Sequence, residues 1–272
     1  MKAAFRVLVA GALISEIAVL VLVNTGVGLA SWWALVPIGL VGVALSLLYG
    51  GMWRDYRNSE GSWAASLPTT ARRFGVPRKA LALLVSEVGY LVSAPSIFRP
   101  FSGTHDGSRV YTAHKNLRTL VFMVLGLSVV EITVVHLAVS HRFWRCFFLI
   151  ISIYAVILLS GFYVSVRNRP HFITQQGVVI RYGKRLICEI PWSHLRSAKP
   201  TSAGQGGDIA LDENGRLRIP VLSEVNVKLE VEPPVLVEDL HKGCIRASSI
   251  EIYCDDKDSF LNDLNNRQSL CS

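Results

Sequence analysis

The chain has 272 residues, 51% of them hydrophobic and 18% charged, with a formal net charge of +8. A soluble domain carries charge on roughly a quarter of its residues, so this composition points to an integral membrane protein with some soluble mass. Disorder, a collagen-like repeat and a disulfide scaffold are excluded by the apolar fraction, by ordinary Gly and Pro content, and by only five Cys. The cations cluster beside apolar segments, where they mark the cytoplasmic side and meet anionic lipid, so nucleic acid is not an expected partner.

Four apolar segments, 7–23, 32–50, 119–139 and 146–166, match or approach the roughly 20 helical residues that cross a bilayer core. The first follows Lys2 and Arg6 and precedes Gly28-Leu29-Ala30, whose small residues resemble a signal-peptidase site. Glu16 in its middle favours an uncleaved anchor. Between the second and third segments, residues 51–118 carry Arg54, Arg57, Arg72, Arg73, Arg78, Lys79, Arg99, Arg109, Lys115 and Arg118. That basic loop and both termini are therefore expected in the cytoplasm. Within it, Ala80 to Ala94 is a further apolar run of about 22 Å, short of a core of about 30 Å. Arg78 and Lys79 before it and Arg99 after it want the same side, so an interfacial helix over 80–94 is expected instead of a fifth span.

From Arg169 onward the pattern changes to short alternating runs between turn residues, the mark of a β-rich domain. Strands are expected over 171–174, 178–181, 185–190, 208–211 and 216–219, the last two joined through Asn214-Gly215, a strong hairpin signal. Val225, Val227, Leu229 and Val231 alternate with Asn226, Lys228, Glu230 and Glu232, which describes a strand with one wet face. Ser249 to Cys254 reads likewise. Asp255 or Asp256 then caps a last helix to about Arg267, with Phe260, Leu261 and Leu264 on one face.

The stretch "HFITQQGVVIRYGKRLICEIPWSHLRSAKP" and the C-terminal helix resemble the bacterial PH-like domains of membrane proteins. The four-span layout, "LSVVEITVVHL" and "IEIYCDDKDSFLNDL" resemble a group of uncharacterised Gram-positive, mainly actinobacterial, membrane proteins. The likeness implies a four-span α-helical transmembrane bundle over 1–168 and a cytosolic β-rich PH-like domain over 169–272. It implies a multi-pass place in a bacterial plasma membrane and no particular activity.

Glu16 and Glu131 are ionisable groups inside apolar spans, about 14 and 18 Å from the cytoplasmic edge, and so the first candidates for an intramembrane polar site. Counted this way the two carboxyls could face one another near the midplane, where they would share a proton, bind a cation, or use Ser15, Ser128 or Thr133 as hydrogen-bond partners. His136 joins them as a candidate near the outer interface, although at 100° per residue it lies about 140° around the helix from Glu131 and does not share an ion with it. Lys184, Arg185, Arg196 and Lys199 form a candidate basic edge facing anionic lipid headgroups. No cofactor, metal site or catalytic motif is expected: CxxC, GxSxG, HExxH and a Walker lysine are all missing. These features describe a membrane protein presenting its β domain to another protein or to the inner leaflet. The alternative is a small transporter or membrane-embedded enzyme using the carboxyls.

Overall fold

A computed structural model describes residues 2–24, 33, 35–99, 109–203 and 207–271. The Gly28-Leu29-Ala30 run, Trp32, Pro100 and the middle of the Thr201–Gly207 loop lie outside these residues. The chain divides into two compact units, Met1–Leu83 and Leu84–Ser272.

The first unit is a helical hairpin with a short helix at one end. Helix α1 runs Lys2–Asn24 and α2 Leu35–Asn58. Phe5 meets the edge of Phe74, which lies over Gly51, while Gly11 faces Leu40. The two helices therefore run antiparallel. Gly51 is small of necessity, because a Cβ there would lie 2.5 Å from the Phe74 ring. Helix α3, Trp63–Phe74, was not expected from the sequence. Ser62 opens it by accepting from the Ala65 amide, and Gly75, left-handed at φ 70°, closes it. Asp55, only 3% exposed on α2, accepts from Thr70 Oγ1 at 2.8 Å and pairs with Arg73 at 2.8 Å, locking α3 to α2. Tyr56 stacks between Trp53 and Trp63, with Arg57 over Trp53, the residue types that favour a membrane–water boundary.

The second unit holds a helical hairpin and the β domain. Helix α4, Arg78–Ser93, starts before the division between the units and continues as a 3₁₀ turn, Ala94–Phe98. Helices α5, Lys115–Ala138, and α6, Arg142–Arg167, are joined by three residues. Arg145 donates through Nε and Nη2 to the Val139 carbonyl at 3.0 and 2.9 Å, setting a cation against the negative end of α5. Along most of the hairpin Phe122, Leu127, Val134, Phe147, Ile150 and Ile153 are exposed. Helices so apolar on their outer surface are stable in lipid, where every backbone bond is already made within the helix. Among the described residues α2, Arg78–Phe98, α5 and α6 are each long and apolar enough to cross a membrane, which makes this a multi-pass membrane protein.

The β domain begins before the hairpin. Strand β1, Arg109–Tyr111, pairs antiparallel with β2, His171–Ile173, so one edge of the sheet has the α5–α6 hairpin inserted between its first two strands. The sheet continues through β3 (Gly177–Tyr182), β4 (Leu186–Pro191), β8 (Val225–Asp239), β9 (Gly243–Ile252), β7 (Arg216–Ile219) and β6 (Ala210–Leu211), with β5 (Leu195–Ala203) on the side of β8. Strand β8 changes partner along its length, from β5 at Val225–Val231 to β4 at Val237–Asp239, with a register shift at the Pro233-Pro234 pair. Among the described strands only β7 and β9 pair in parallel. The expected alternation holds: Val225, Val227, Leu229 and Val231 are buried and the residues between them are not. Helix α7, Lys257–Cys271, buries Phe260, Leu261 and Leu264 in the sheet core.

Candidate functional site

Glu16 belongs to the first unit and Glu131 to the second, and each is exposed. Their expected partners are engaged elsewhere: Ser15 donates to Ala12 O, Ser128 to Val124 O and Thr133 to Val129 O, all within their own helices. His136 is exposed and lines a shallow cleft with Ile132, Val135, Arg145, Phe148, Leu149 and Ser152 near the hairpin tip. Among the described residues, no cluster of His, Cys, Asp and Glu has the composition to hold a metal ion.

The candidate basic edge is tied down by its own domain. Arg185 pairs with Asp208 at 2.7 Å and lies 3.5 Å from buried Asp239; Arg196 pairs with Glu232 at 3.2 Å and Lys199 with Glu230 at 3.8 Å. Hydrogen bonds from Lys228 and Ser197, with the nearby charges of Lys228 and Lys199, hold the Glu230 carboxyl down to about 2. Lys184 lies partly buried with Nζ on the Gly89 carbonyl at 3.0 Å, and that burial lowers its pKa. The four cations reach different partners, and Arg196 and Lys199 stay 64% and 65% exposed.

The residues that the fold does bring together lie at the foot of the α5–α6 hairpin. Asp255, one of the two caps expected for the last helix, caps α5 instead. It accepts from the His114 and Lys115 amides at 3.0 Å each and from Thr112 Oγ1 at 2.7 Å. Asp256 takes the other role, accepting from Ser259 N at the start of α7. Tyr111 and Arg109 of β1 both bond Asp263 on α7, and Tyr111 packs against Phe260. Leu117 and Val121 of α5 and Tyr163, Val164 and Val166 of α6 share one buried cluster with Val221 and Tyr253 of the β domain. Arg167, the last residue of α6, donates to the carbonyls of Ser96, Ile97 and Arg99.

Helix α4 closes against the same domain. Ser86 Oγ lies 3.2 Å from His241 Nε2 in the β8–β9 turn, and Gly89 receives Lys184 from the β3–β4 turn. Gly161 of α6 approaches the Tyr90 backbone so closely that a Cβ would lie 2.0 Å from its oxygen. Arg78–Phe98 is long and apolar enough to cross a membrane. Yet its midpoint touches two charged turns of the β domain, which a helix centred in hydrocarbon would have to drag with it.

His171 shows how firmly the domain core is set. Its Nδ1 accepts from Arg181 N and its Nε2 faces the Tyr253 carbonyl at 3.1 Å, which defines a neutral ring with the proton on Nε2. Burial lowers its pKa to about 4. Cys188 and Cys254 are free thiols pushed up to about 12 by burial, and so are poor nucleophiles. Comparison with protein-family models, curated proteins and solved structures returns no match.

Proposed function

We propose that this is a multi-pass protein of a bacterial plasma membrane that holds a PH-like β domain at the cytosolic surface as a binding module for another protein. In this reading both termini and the 51–118 segment are cytosolic, and α4 lies in the interface instead of crossing. The observation that carries it is the sheet itself: β1 and β2 pair on either side of the α5–α6 hairpin, and Asp255 caps α5. A domain built around the foot of a spanning hairpin is held at the membrane surface in a defined orientation. The mostly antiparallel sheet closed by α7 is compatible with the PH-like reading. Because Arg185, Arg196 and Lys199 are paired within the domain, its wet face suits a protein partner better than a basic edge suits anionic headgroups.

Reporter fusions after Asn58, after Gly103 and at Ser272 test the sidedness, and all three are expected to read cytosolic. Disagreement between the reporters at 58 and 103 would mean that α4 crosses. The function class is tested by a Glu16→Gln, Glu131→Gln double variant assayed for abundance and a cellular phenotype. A binding module keeps its phenotype, because no hydrogen bond or ion pair to either carboxyl is found among the described residues. A folded, inserted variant without activity would restore the transporter or membrane-embedded enzyme reading, since an amide cannot cycle a proton.

A further inference from the structure

Two large apolar side chains stand exposed beside the foot of the α5–α6 hairpin: Phe98, 91% exposed, and Leu222, 43% exposed. Leu222 and Ser223 occupy the two central positions of a tight turn, with φ of 51° and 70°. The turn is closed by reciprocal bonds between the Val221 and Glu224 backbones. Turns of this hand favour Asn and Gly, because a left-handed backbone crowds any other side chain. Leucine here meets that backbone penalty and leaves apolar surface uncovered at the same residue. Asparagine would relieve both, so the leucine points to a role outside the domain's own packing.

The turn is fixed against α5. Val221 is buried in the cluster with Leu117 and Val121, and Asn116 Nδ2 donates to the Glu224 carboxylate at 3.0 Å. On the α6 side, Ile97 packs against the same cluster while Arg167 holds the carbonyls of Ser96 and Arg99, leaving Phe98 projecting between them. Exposed apolar side chains begin on α5 at Leu120 and Phe122. Both residues thus adjoin the level at which the hairpin leaves water. Arg99 and Arg118, both exposed, lie beside them in sequence or on the first turns of α5. Apolar side chains with neighbouring arginines match the boundary between acyl chains and phosphates.

We propose that Phe98 and Leu222 are membrane-inserting fingers that seat the β domain on the headgroup–acyl boundary of the bilayer crossed by the α5–α6 hairpin. Their occupant is lipid, because they continue the apolar band of that hairpin. The proposal rests on the reading of α5 and α6 as membrane spans, and the experiment separates the two. The full chain, with Cys146, Cys244 and Cys271 changed to Ser, is placed in lipid nanodiscs. Nitroxide labels are attached singly at positions 98, 222, 223, 127 and 236. Collisions with lipid-soluble oxygen are compared with collisions with a water-soluble nickel chelate.

Labels at 98, 222 and 223 are expected to favour oxygen several-fold, as 127 on α5 does, whereas 236 on the outer surface of β8 favours nickel. In the chain labelled at 223, Leu222→Asn is expected to shift the balance toward nickel with no loss of thermal stability, since Asn tolerates this backbone. Labels at 98 and 222 that behave like 236, while 127 remains in lipid, would overturn the fingers and leave the spans intact. Labels shielded from both reagents would overturn them too, in favour of a protein partner or a second copy. A label at 127 that meets water would overturn the span reading itself.

Discussion

The two helical hairpins are alike along their apolar lengths and differ in what buries one end. The α1–α2 hairpin closes on α3, its next neighbour in sequence, through Asp55, Thr70, Arg73 and the Phe74 ring over Gly51. The α5–α6 hairpin closes on the β domain through Asp255, Arg167 and a cluster drawn from α5, α6 and two distant turns. Apolar length marks where a chain can enter lipid, while the polar and packed residues at a helix end reveal what the span is attached to. One hairpin is finished locally; the other is part of a domain whose strands flank it.

The sharpest way to break this contrast is steric. Gly161→Ala would drive a Cβ against the Tyr90 backbone, which cannot swing aside as a side chain can. Parting α6 from α4 is expected to cost about 3 kcal/mol or more, read as a large fall in thermal stability in detergent and new proteolysis within 84–99. An unchanged melting curve would mean that this contact is not part of the native packing.

Paired cap and latch variants sharpen the comparison. Asp55→Ala strips Thr70 and Arg73 of a buried partner and is expected to cost about 3 kcal/mol, confined to α2 and α3. Asp255→Ala removes the cap of α5 and the Thr112 bond and is expected to cost about 2 kcal/mol, confined to the second unit. Hydrogen exchange by mass spectrometry locates each loss. Faster exchange of β1 and the first turn of α5 in the Asp255 variant, with α3 unaffected, is the expected pattern.

A titration tests the β domain specifically. The folded pKa of His171, about 4, lies below the ordinary value of 6.5, so the unfolded chain binds the proton more readily. Its contribution is fully present above pH 6.5 and is lost as pH falls toward 4, about 3 kcal/mol in all. Denaturant unfolding of the β domain at pH 7 and pH 4.5 measures it, and His171→Gln should flatten the part due to this ring. The smallest effects belong to the candidate basic edge. Arg196→Ala and Lys199→Ala remove exposed pairs worth less than about 1 kcal/mol each and should leave vesicle binding nearly unchanged.

Much of this was legible in the sequence because local patterns carried it. The spans, the alternation of Val225–Val231, the Asn214-Gly215 turn and the apolar face of α7 each follow from residues a few positions apart. The unexpected elements have weak local signals. Strand β1 is three residues long, α3 carries Pro68 inside it, β5 is interrupted by Pro200, and β8 continues past Pro233-Pro234, where a strand would be expected to stop. The acids paired with the basic edge, Asp208, Glu230, Glu232 and Asp239, come from other elements and so were not legible beside it in sequence. Adjacent acids at 255 and 256 read as one cap with an alternative, whereas the fold uses both, one for a helix 140 residues away in sequence.

The β domain includes the residues before the hairpin as well as those after it. Two soluble chains test it most directly. One is residues 169–272; the other is 109–272 with 116–166 replaced by a short Gly-Ser linker. Both lose the same contacts to the spans, so their difference in urea unfolding reports residues 109–115 and 167–168, chiefly β1, the Arg109 and Tyr111 bonds to Asp263 and the Asp255 bonds. The linked chain is expected to be more stable by about 2–3 kcal/mol and to unfold in a single transition. Equal stability would mean that the sheet gains nothing from the strand on the far side of the membrane hairpin, and that the domain begins at Arg169.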